Sequence, residues 1–248
     1  MHLSIIIPAY NEEKKLPQTL KDISGYLSQQ DYDSEILVVS DGSTDETVEV
    51  ARNLMSQIKN LKILDFEQNR GKGFAVRQGM LKAKGDYRLF TDADNSTSIN
   101  HVEKMWSYFE KGYDVVIGSR DSKDAKGARQ AVPQPTWKRF LGNLGNIGIQ
   151  VVALWGIWDT QCGFKAFTKK AAEDIFKRCK INHWAFDVEV LALARKLGYK
   201  IGIIPVYWIN SPDSRVKLKG YTRFFKELLQ IKWNLIWHKY NWKNIKTD

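Results

Sequence analysis

Five short runs rich in Ile, Val and Leu, each separated from the next by a helix-length amphipathic stretch, constrain the fold of this chain more than any other feature. The runs are 3–9, 35–40, 61–66, 87–91 and 115–118, with helical stretches near 12–29, 44–58, 72–83 and 99–111. Near-continuous apolar runs are what strands look like when both faces of their sheet are covered. Strand–helix alternation therefore predicts an α/β fold, a mostly parallel Rossmann-like sheet with helices on both faces. Ligands of such sheets bind outside the carboxyl ends of the strands. The polar motifs of this half all fall there: Tyr10-Asn11-Glu12, Asp41-Gly42-Ser43, Asn69-Arg70-Gly71-Lys72-Gly73 and Asp92-Ala93-Asp94.

Asp92-Ala93-Asp94 closes the fourth run. Residues i and i+2 of an extended segment project to one side, so Asp92 and Asp94 are expected to face one divalent ion. Mg2+ is typically held by one or two carboxylates plus substrate phosphate oxygens. Two solvated loop acids are the plainer alternative; the position directly after Phe90-Thr91 at a strand end favours the metal. Asp41-Gly42-Ser43 reads either as a turn into a helix capped by Thr44 or as a contact for a base or ribose. Pro8-Ala9-Tyr10-Asn11-Glu12 offers an aromatic surface and a carboxylate, or simply a helix entry with Asn11 as cap. The glycine-rich loop 69–73 opens a helix, with Arg77 a turn later, and suits phosphate. It lacks the Walker spacing. Gly118-Ser119-Arg120 ends the fifth run, and Arg129, Lys138, Arg139, Arg215 and Lys217 follow. Singly these are ordinary surface charges; together they suit an anionic lipid head.

Lys and Arg number 38 against 28 Asp and Glu, a net charge of +10 that favours anionic partners. No zinc-finger, homeodomain or RNA-binding signature accompanies the charge, so nucleic acid is not expected. The two cysteines, Cys162 and Cys179, have no CxxC spacing, and a reducing, cytosolic compartment follows. Cys162 is read as structural. His2, His101, His183 and His238 show no metal-ligand spacing and receive no role. The chain enters a strand at once, without the look of a signal peptide. The stretch 140–158 is interrupted by Asn143, Asn146 and Gln150 and makes a poor membrane span, which needs about 20 apolar residues. Downstream, 120–136 reads as a polar loop, 137–155 as a Gly-rich apolar helix, 169–178 and 184–197 as helices and 200–208 as a strand. Residues 218–248 form an aromatic and basic tail after a domain of 1–217. Wound as a helix, the tail suits a membrane interface; packing on its own domain or on a second subunit is the alternative.

Taken together, these blocks resemble a family-2 glycosyltransferase of the GT-A fold, and within it the dolichyl-phosphate β-glucosyltransferase branch. The resemblance rests on Ile7–Glu12, Val39–Asp45, Asn69–Gly73, Thr91–Asp94, Gly118–Arg120, Asp159–Lys165 and Trp184–Glu189, in family order. It implies an inverting, metal-dependent transfer from a nucleotide sugar, UDP-glucose, to a polyprenyl phosphate by a peripheral protein at the cytoplasmic membrane face. Pro8, Ala9, Tyr10, Glu12, Asp41, Gly71, Lys72, Arg77, Asp92 and Ala93 would meet the donor. Asp92 and Asp94 would hold Mg2+ or Mn2+. Asp94, Asp159 and Arg120 would be catalytic, and Arg120, Arg139, Ser214, Arg215 and Lys217 would receive the acceptor phosphate. An acceptor phosphate is already an anion and hardly needs a base; for a sugar hydroxyl, Asp159 would be the candidate base. Two other readings remain at this level: transfer to a glycan or other hydroxyl, and a non-catalytic nucleotide-sugar or lipid-binding module.

Overall fold

The computed structural model describes residues 2–130, 146, 148–150, 154–209 and 218–240. The first half runs β1 (Leu3–Ala9), α1 (Leu16–Leu27), β2 (Ser34–Asp41), α2 (Thr47–Leu54), β3 (Leu61–Phe66), α3 (Lys72–Lys82), β4 (Tyr87–Thr91), α4 (Glu103–Glu110) and β5 (Val115–Ser119). A single 3-10 turn, Ile99–Val102, leads into α4. The second half contributes β6 (Arg129–Gln130), β7 (Phe164–Thr168), α5 (Lys169–Phe176), α6 (Phe186–Lys196), β8 (Ile201–Pro205), β9 (Tyr207–Trp208) and α7 (Leu218–Ile236).

Seven strands form the main sheet in the order β3-β2-β1-β4-β7-β5-β8. Every pairing is parallel except those of β7, which runs antiparallel between β4 and β5. Side chains alternate between two apolar layers. Ile6, Val39, Phe90, Ile117 and Phe167 enter one; Ile5, Ile7, Val38, Leu89, Val116 and Phe164 enter the other. That period of two explains why the strands read as unbroken apolar runs: both faces are covered.

Three local expectations are corrected. The segment 159–167, without an assigned element in the sequence reading, supplies all of β7 except Thr168; Lys165 hides the pattern because it is fully buried within the strand. Thr44 does not cap α2: the helix starts at Thr47, whose N–H donates to Asp45 Oδ1 at 3.0 Å, while Thr44 N–H donates to Asn11 Oδ1. The expected strand 200–208 divides at Val206, its first part entering the main sheet and Tyr207-Trp208 pairing with Arg129-Gln130, inside what reads as a polar loop. Most of the expected helix 137–155 lies outside the described residues, as do Lys138, Arg139, Ser214, Arg215 and Lys217. The boundary expected at residue 217 lies there too.

The tail helix α7 folds back on the domain. Phe224, Leu228, Ile231 and Tyr240 join the cluster that also holds Phe186 and Leu191. Its one acid, Glu227, turns inward and accepts a hydrogen bond from Ala185 N–H at 3.1 Å. The outer face carries Leu229, Trp233, Ile236 and Trp237, all exposed. No helix among the described residues is long and apolar enough to cross a membrane.

Candidate active site

The glycine loop before α3 is built on Asp41. This carboxylate, buried at the end of β2, accepts from Arg70 N–H at 3.0 Å and Gly71 N–H at 2.6 Å, and Asn69 Nδ2 donates to the Asp41 carbonyl at 3.1 Å. Asp41, a candidate contact for a base or ribose, is thus engaged in holding the loop that opens α3. Gly71 has φ +109°, and a Cβ there would strike the Asn182 carbonyl and the His183 ring. The loop therefore needs glycine for conformation and for clearance. Arg77, expected at the donor phosphate, donates to the Cys179 carbonyl at 3.0 Å and to Asn182 Oδ1 at 2.9 Å, bracing the segment that lies against Gly71.

The acidic triplet does not sit in an extended segment as the spacing argument assumed. Asp92 follows β4 directly, Ala93-Asp94 form a turn, and Asn95 takes φ +53°. The turn is tied down from both ends: Thr19 Oγ1 of α1 donates to the Ala93 carbonyl at 2.7 Å, and Ser96 N–H donates to Asp94 Oδ1 at 3.1 Å. Both carboxylates are half-buried. Asp92 is flanked by two neighbours. Lys72 Nζ lies 2.5 Å from its Oδ1. Gly163 also lies close by, where a Cβ would overlap the carboxylate. The close approach of Gly163 follows from β7, whose first residue Phe164 pairs with Thr91.

Two carboxylates on one tight turn suit a hard divalent ion that completes its shell with substrate phosphate oxygens and water. Ser96 Oγ supports the fit: it is buried two residues beyond Asp94 and has no hydrogen-bond partner among the described residues. No cluster of three His, Cys, Asp or Glu side chains suited to a metal occurs among the described residues, so such an ion would depend on the bound substrate for ligands.

Beyond Gly163 lies the third cluster. Asp159, buried, accepts from Arg120 through three donors: the backbone N–H at 2.7 Å and Nε at 2.8 Å on one oxygen, Nη2 at 2.8 Å on the other. Burial opposes ionisation of Asp159, but the Arg120 guanidinium outweighs it and holds the carboxyl below the usual aspartate range. Arg120 is pushed upward by Asp159 against its own desolvation, with Asp92 contributing, so both clusters share one field. The guanidinium stacks 5.1 Å from the Trp208 ring centre, and its Nη1 has no hydrogen-bond partner among the described residues. Asp124, which the sequence reading passed over, fixes this corner: it accepts from Trp158 N–H at 2.8 Å, Asp159 N–H at 2.7 Å and the Ser119 hydroxyl at 2.9 Å. An acid inside a polar loop carries no sequence signal for such a job.

Two more buried acids stand behind the site, in the block Trp184–Glu189. Asp187 pairs with fully buried Lys165 at 2.5 Å. Glu189 accepts from Lys180 and Ile181 N–H groups, each at 2.9 Å, and from the Tyr240 hydroxyl at 2.8 Å. Cys162 is fully buried, and burial pushes its thiol up to about 12, in keeping with a structural residue. Of the remaining expected residues, Pro8 and Ala9 end β1 against Val39 and Ser40, Tyr10 emerges 41% exposed, and Glu12 N–H donates to Thr47 Oγ1 at 2.7 Å.

Residues 4–176 match the model of the family described as glycosyl transferase family 2. The chain belongs to that family. Among its relatives, a dolichyl-phosphate β-glucosyltransferase of Trichomonas vaginalis (ALG5A) is 35% identical over 241 residues, covering 93% of this chain and 73% of the relative. The dolichyl-phosphate β-glucosyltransferase of Homo sapiens is 33% identical over 249 residues, with coverages of 93% and 74%. Among solved structures, glucosyl-3-phosphoglycerate synthase from Mycobacterium tuberculosis, in complex with Mn2+, UDP-glucose and phosphoglyceric acid, superposes with a TM-score of 0.69 at 15% identity, over 93% of this chain and 78% of that one. S. aureus TarS 1–349 with UDP-GlcNAc gives 0.57 at 19% identity, over 93% and 66%. At those identities the structures establish the fold, and the family-2 chain has the expected GT-A architecture.

Proposed function

We propose that this family-2 chain transfers glucose from UDP-glucose, with inversion, to a polyprenyl phosphate at the cytoplasmic face of a membrane, aided by Mg2+ or Mn2+. The names of the relatives, dolichyl-phosphate β-glucosyltransferases in several eukaryotes, support the acceptor and the sugar. The observation on which the acceptor class rests is the commitment of Asp159 to Arg120. A carboxylate held by three donors and lowered in pKa is a poor proton acceptor. A phosphate acceptor requires no base, because its oxygen is already an anion at neutral pH.

In this reading Tyr10 and Glu12, at the end of β1, border the nucleotide. Asp41 fixes the backbone of the 69–73 loop so that Lys72 reaches the diphosphate. Asp92 and Asp94 would hold the divalent ion, with Ser96 Oγ at hand. Such an ion would supply positive charge to the departing diphosphate. Arg120, oriented by Asp159 and Asp124, offers its remaining donors to the acceptor phosphate. The acceptor oxygen forms a bond to the anomeric carbon while the bond from that carbon to the diphosphate breaks, and the electron pair leaves with UDP. The tail helix α7 and the turn after it present Trp233, Trp237 and Ile236 outward, together with exposed Lys226, Lys232 and Lys239, to the membrane surface.

The test is incubation of purified protein with labelled UDP-glucose, UDP-N-acetylglucosamine or GDP-mannose, with Mg2+ or Mn2+, with and without polyprenyl phosphate. A lipid-extractable, mild-acid-labile glucosyl product is expected. Metal-dependent turnover of UDP-glucose that ignores the lipid would overturn the acceptor assignment.

A further inference from the structure

The chain carries its own cation at the point where a metal would bind. Lys72 Nζ lies 2.5 Å from Asp92 Oδ1, and both side chains remain about one-third exposed, so the pair can open without unpacking the core. Gly163 leaves room for that carboxylate: a Cβ at this position would overlap it. Lys72 is well directed: its backbone begins α3 on the loop that Asp41 pins. Behind it, Nζ lies 6.0 Å from the centre of the Phe186 ring, and buried Asp187 adds to the pull on the ammonium. Asp187 is held in place by Lys165, whose Nζ also donates to the Cys162 carbonyl at 2.5 Å, next to Gly163.

The local charges are Asp92, Asp94, Asp159 and Asp187 against Lys72, Lys165 and Arg120. A divalent ion entering alone would have to displace an ammonium already seated on Asp92, leaving that ammonium close to the new cation. A diphosphate removes the conflict, since it gives Lys72 another anion and supplies ligands to the metal.

We propose that Lys72 is an exchangeable internal counter-ion for Asp92: it occupies the carboxylate in the free protein, suppresses binding of a divalent ion alone, and transfers to the donor diphosphate when metal and nucleotide bind together. The inference rests on the donor and metal reading above and assigns within it the order of events at Asp92.

Mn2+ affinity is the readout, measured by electron paramagnetic resonance of free Mn2+, with and without UDP, on wild type, Lys72→Met and Lys72→Arg. Removing one cation from contact with a partly exposed carboxylate is worth about tenfold in affinity for a second cation. Lys72→Met is therefore expected to bind Mn2+ alone about tenfold more tightly than wild type, and to lose most of the enhancement that UDP gives. Lys72→Arg is expected to keep weak binding without UDP. Unchanged or weaker binding of Mn2+ alone by Lys72→Met, with circular dichroism showing an intact fold, overturns the counter-ion assignment. If that variant proves unfolded, Lys72→Gln takes its place, with the same expected and overturning outcomes. Failure of wild type to bind UDP with Mn2+ overturns the donor reading instead, an outcome distinct from unchanged metal affinity.

Discussion

Replacing Asp159 by Asn separates the two jobs that this residue could have. The carboxylate is 8% exposed and receives three hydrogen bonds from Arg120, a side chain itself 19% exposed. Asn retains one carbonyl oxygen and presents an N–H2 where the other acceptor stood, so at least one charged bond is lost and the guanidinium loses its counter-charge. Hydrogen bonds to charged groups contribute about 1.5–3 kcal/mol, and breaking one side of a buried ion pair costs about 3–5 kcal/mol. Arg120 keeps some access to water, which argues for the lower end, about 3 kcal/mol. For a chain of this size that is roughly 6–12 °C in Tm. In steady-state transfer the loss should fall mainly on the KM for the lipid phosphate, by roughly 10–100-fold, because Arg120 is no longer aimed. The pH profile should keep its shape. A double-mutant cycle with Arg120→Gln should return most of the stability loss as coupling between the two residues. The reasoning fails if Asp159→Asn abolishes kcat, leaves the acceptor KM unchanged and erases a limb of the pH profile, since those are the marks of a general base.

Asp94→Asn should leave the melting curve within about 0.5 kcal/mol of wild type, as expected for a part-exposed site, and remove Mn2+-dependent UDP binding; calorimetry that finds undiminished binding refutes the metal assignment. Glu35 gives a pH test of the fold. It accepts from Ser4 Oγ at 2.6 Å, Lys84 N–H at 2.7 Å and Lys62 Nζ at 2.7 Å. Burial opposes its ionisation, and those three partners together hold the carboxyl below its ordinary range. A depressed folded-state pKa adds stability that is present above the unfolded pKa and is lost as pH falls through the folded one. Glu35→Gln should thus cost about 1–3 kcal/mol at neutral pH, with the gap to wild type closing in acid; a gap constant from pH 7 down to 3 contradicts the assignment. The double substitution Trp233→Ser with Trp237→Ser should weaken sedimentation with anionic liposomes by about tenfold at unchanged UDP affinity, and equal sedimentation removes the docking face.

How far the site could be read from sequence depended on whether a residue's chemistry was carried by its position along the strand. Asp41, Asp92 and Arg120 follow or end apolar runs, so the rule for strand ends located them without further help. What those runs could not say is how each side chain is used. Asp41 has the composition of a turn and in the structure braces the 69–73 loop. Arg77, a helix turn beyond that loop, points toward Asn182. Strand β7 was invisible for a related reason: Lys165 breaks its apolar alternation, and the distant Asp187, together with the Cys162 carbonyl, makes burial of an ammonium tolerable. Pairings of that kind, like those of Asp124 with Trp158 and Asp159 N–H groups, are long-range and leave no local period.

The tail is tied to the rest of the chain through its inner face. Its aromatic and basic pattern suggests an appendage that could be removed to test membrane docking. Yet Glu227 satisfies Ala185 N–H, Tyr240 satisfies Glu189, and Arg223 Nη1 lies 3.4 Å from His183 Nε2. Glu189 in turn receives the Lys180 and Ile181 N–H groups, and the next residue, Asn182, accepts from Phe74 N–H at 3.0 Å and packs its carbonyl against Gly71. The inner face of α7 is therefore two residue contacts away from the loop that carries Lys72. Deleting residues 221–248 would expose Glu189 and loosen residues 180–183, so donor binding and liposome binding would fall together whatever the outer face does. Only substitutions confined to exposed Trp233 and Trp237 isolate the membrane contribution, because those rings contact each other, 5.2 Å between centres, on the side of the helix facing away from the domain.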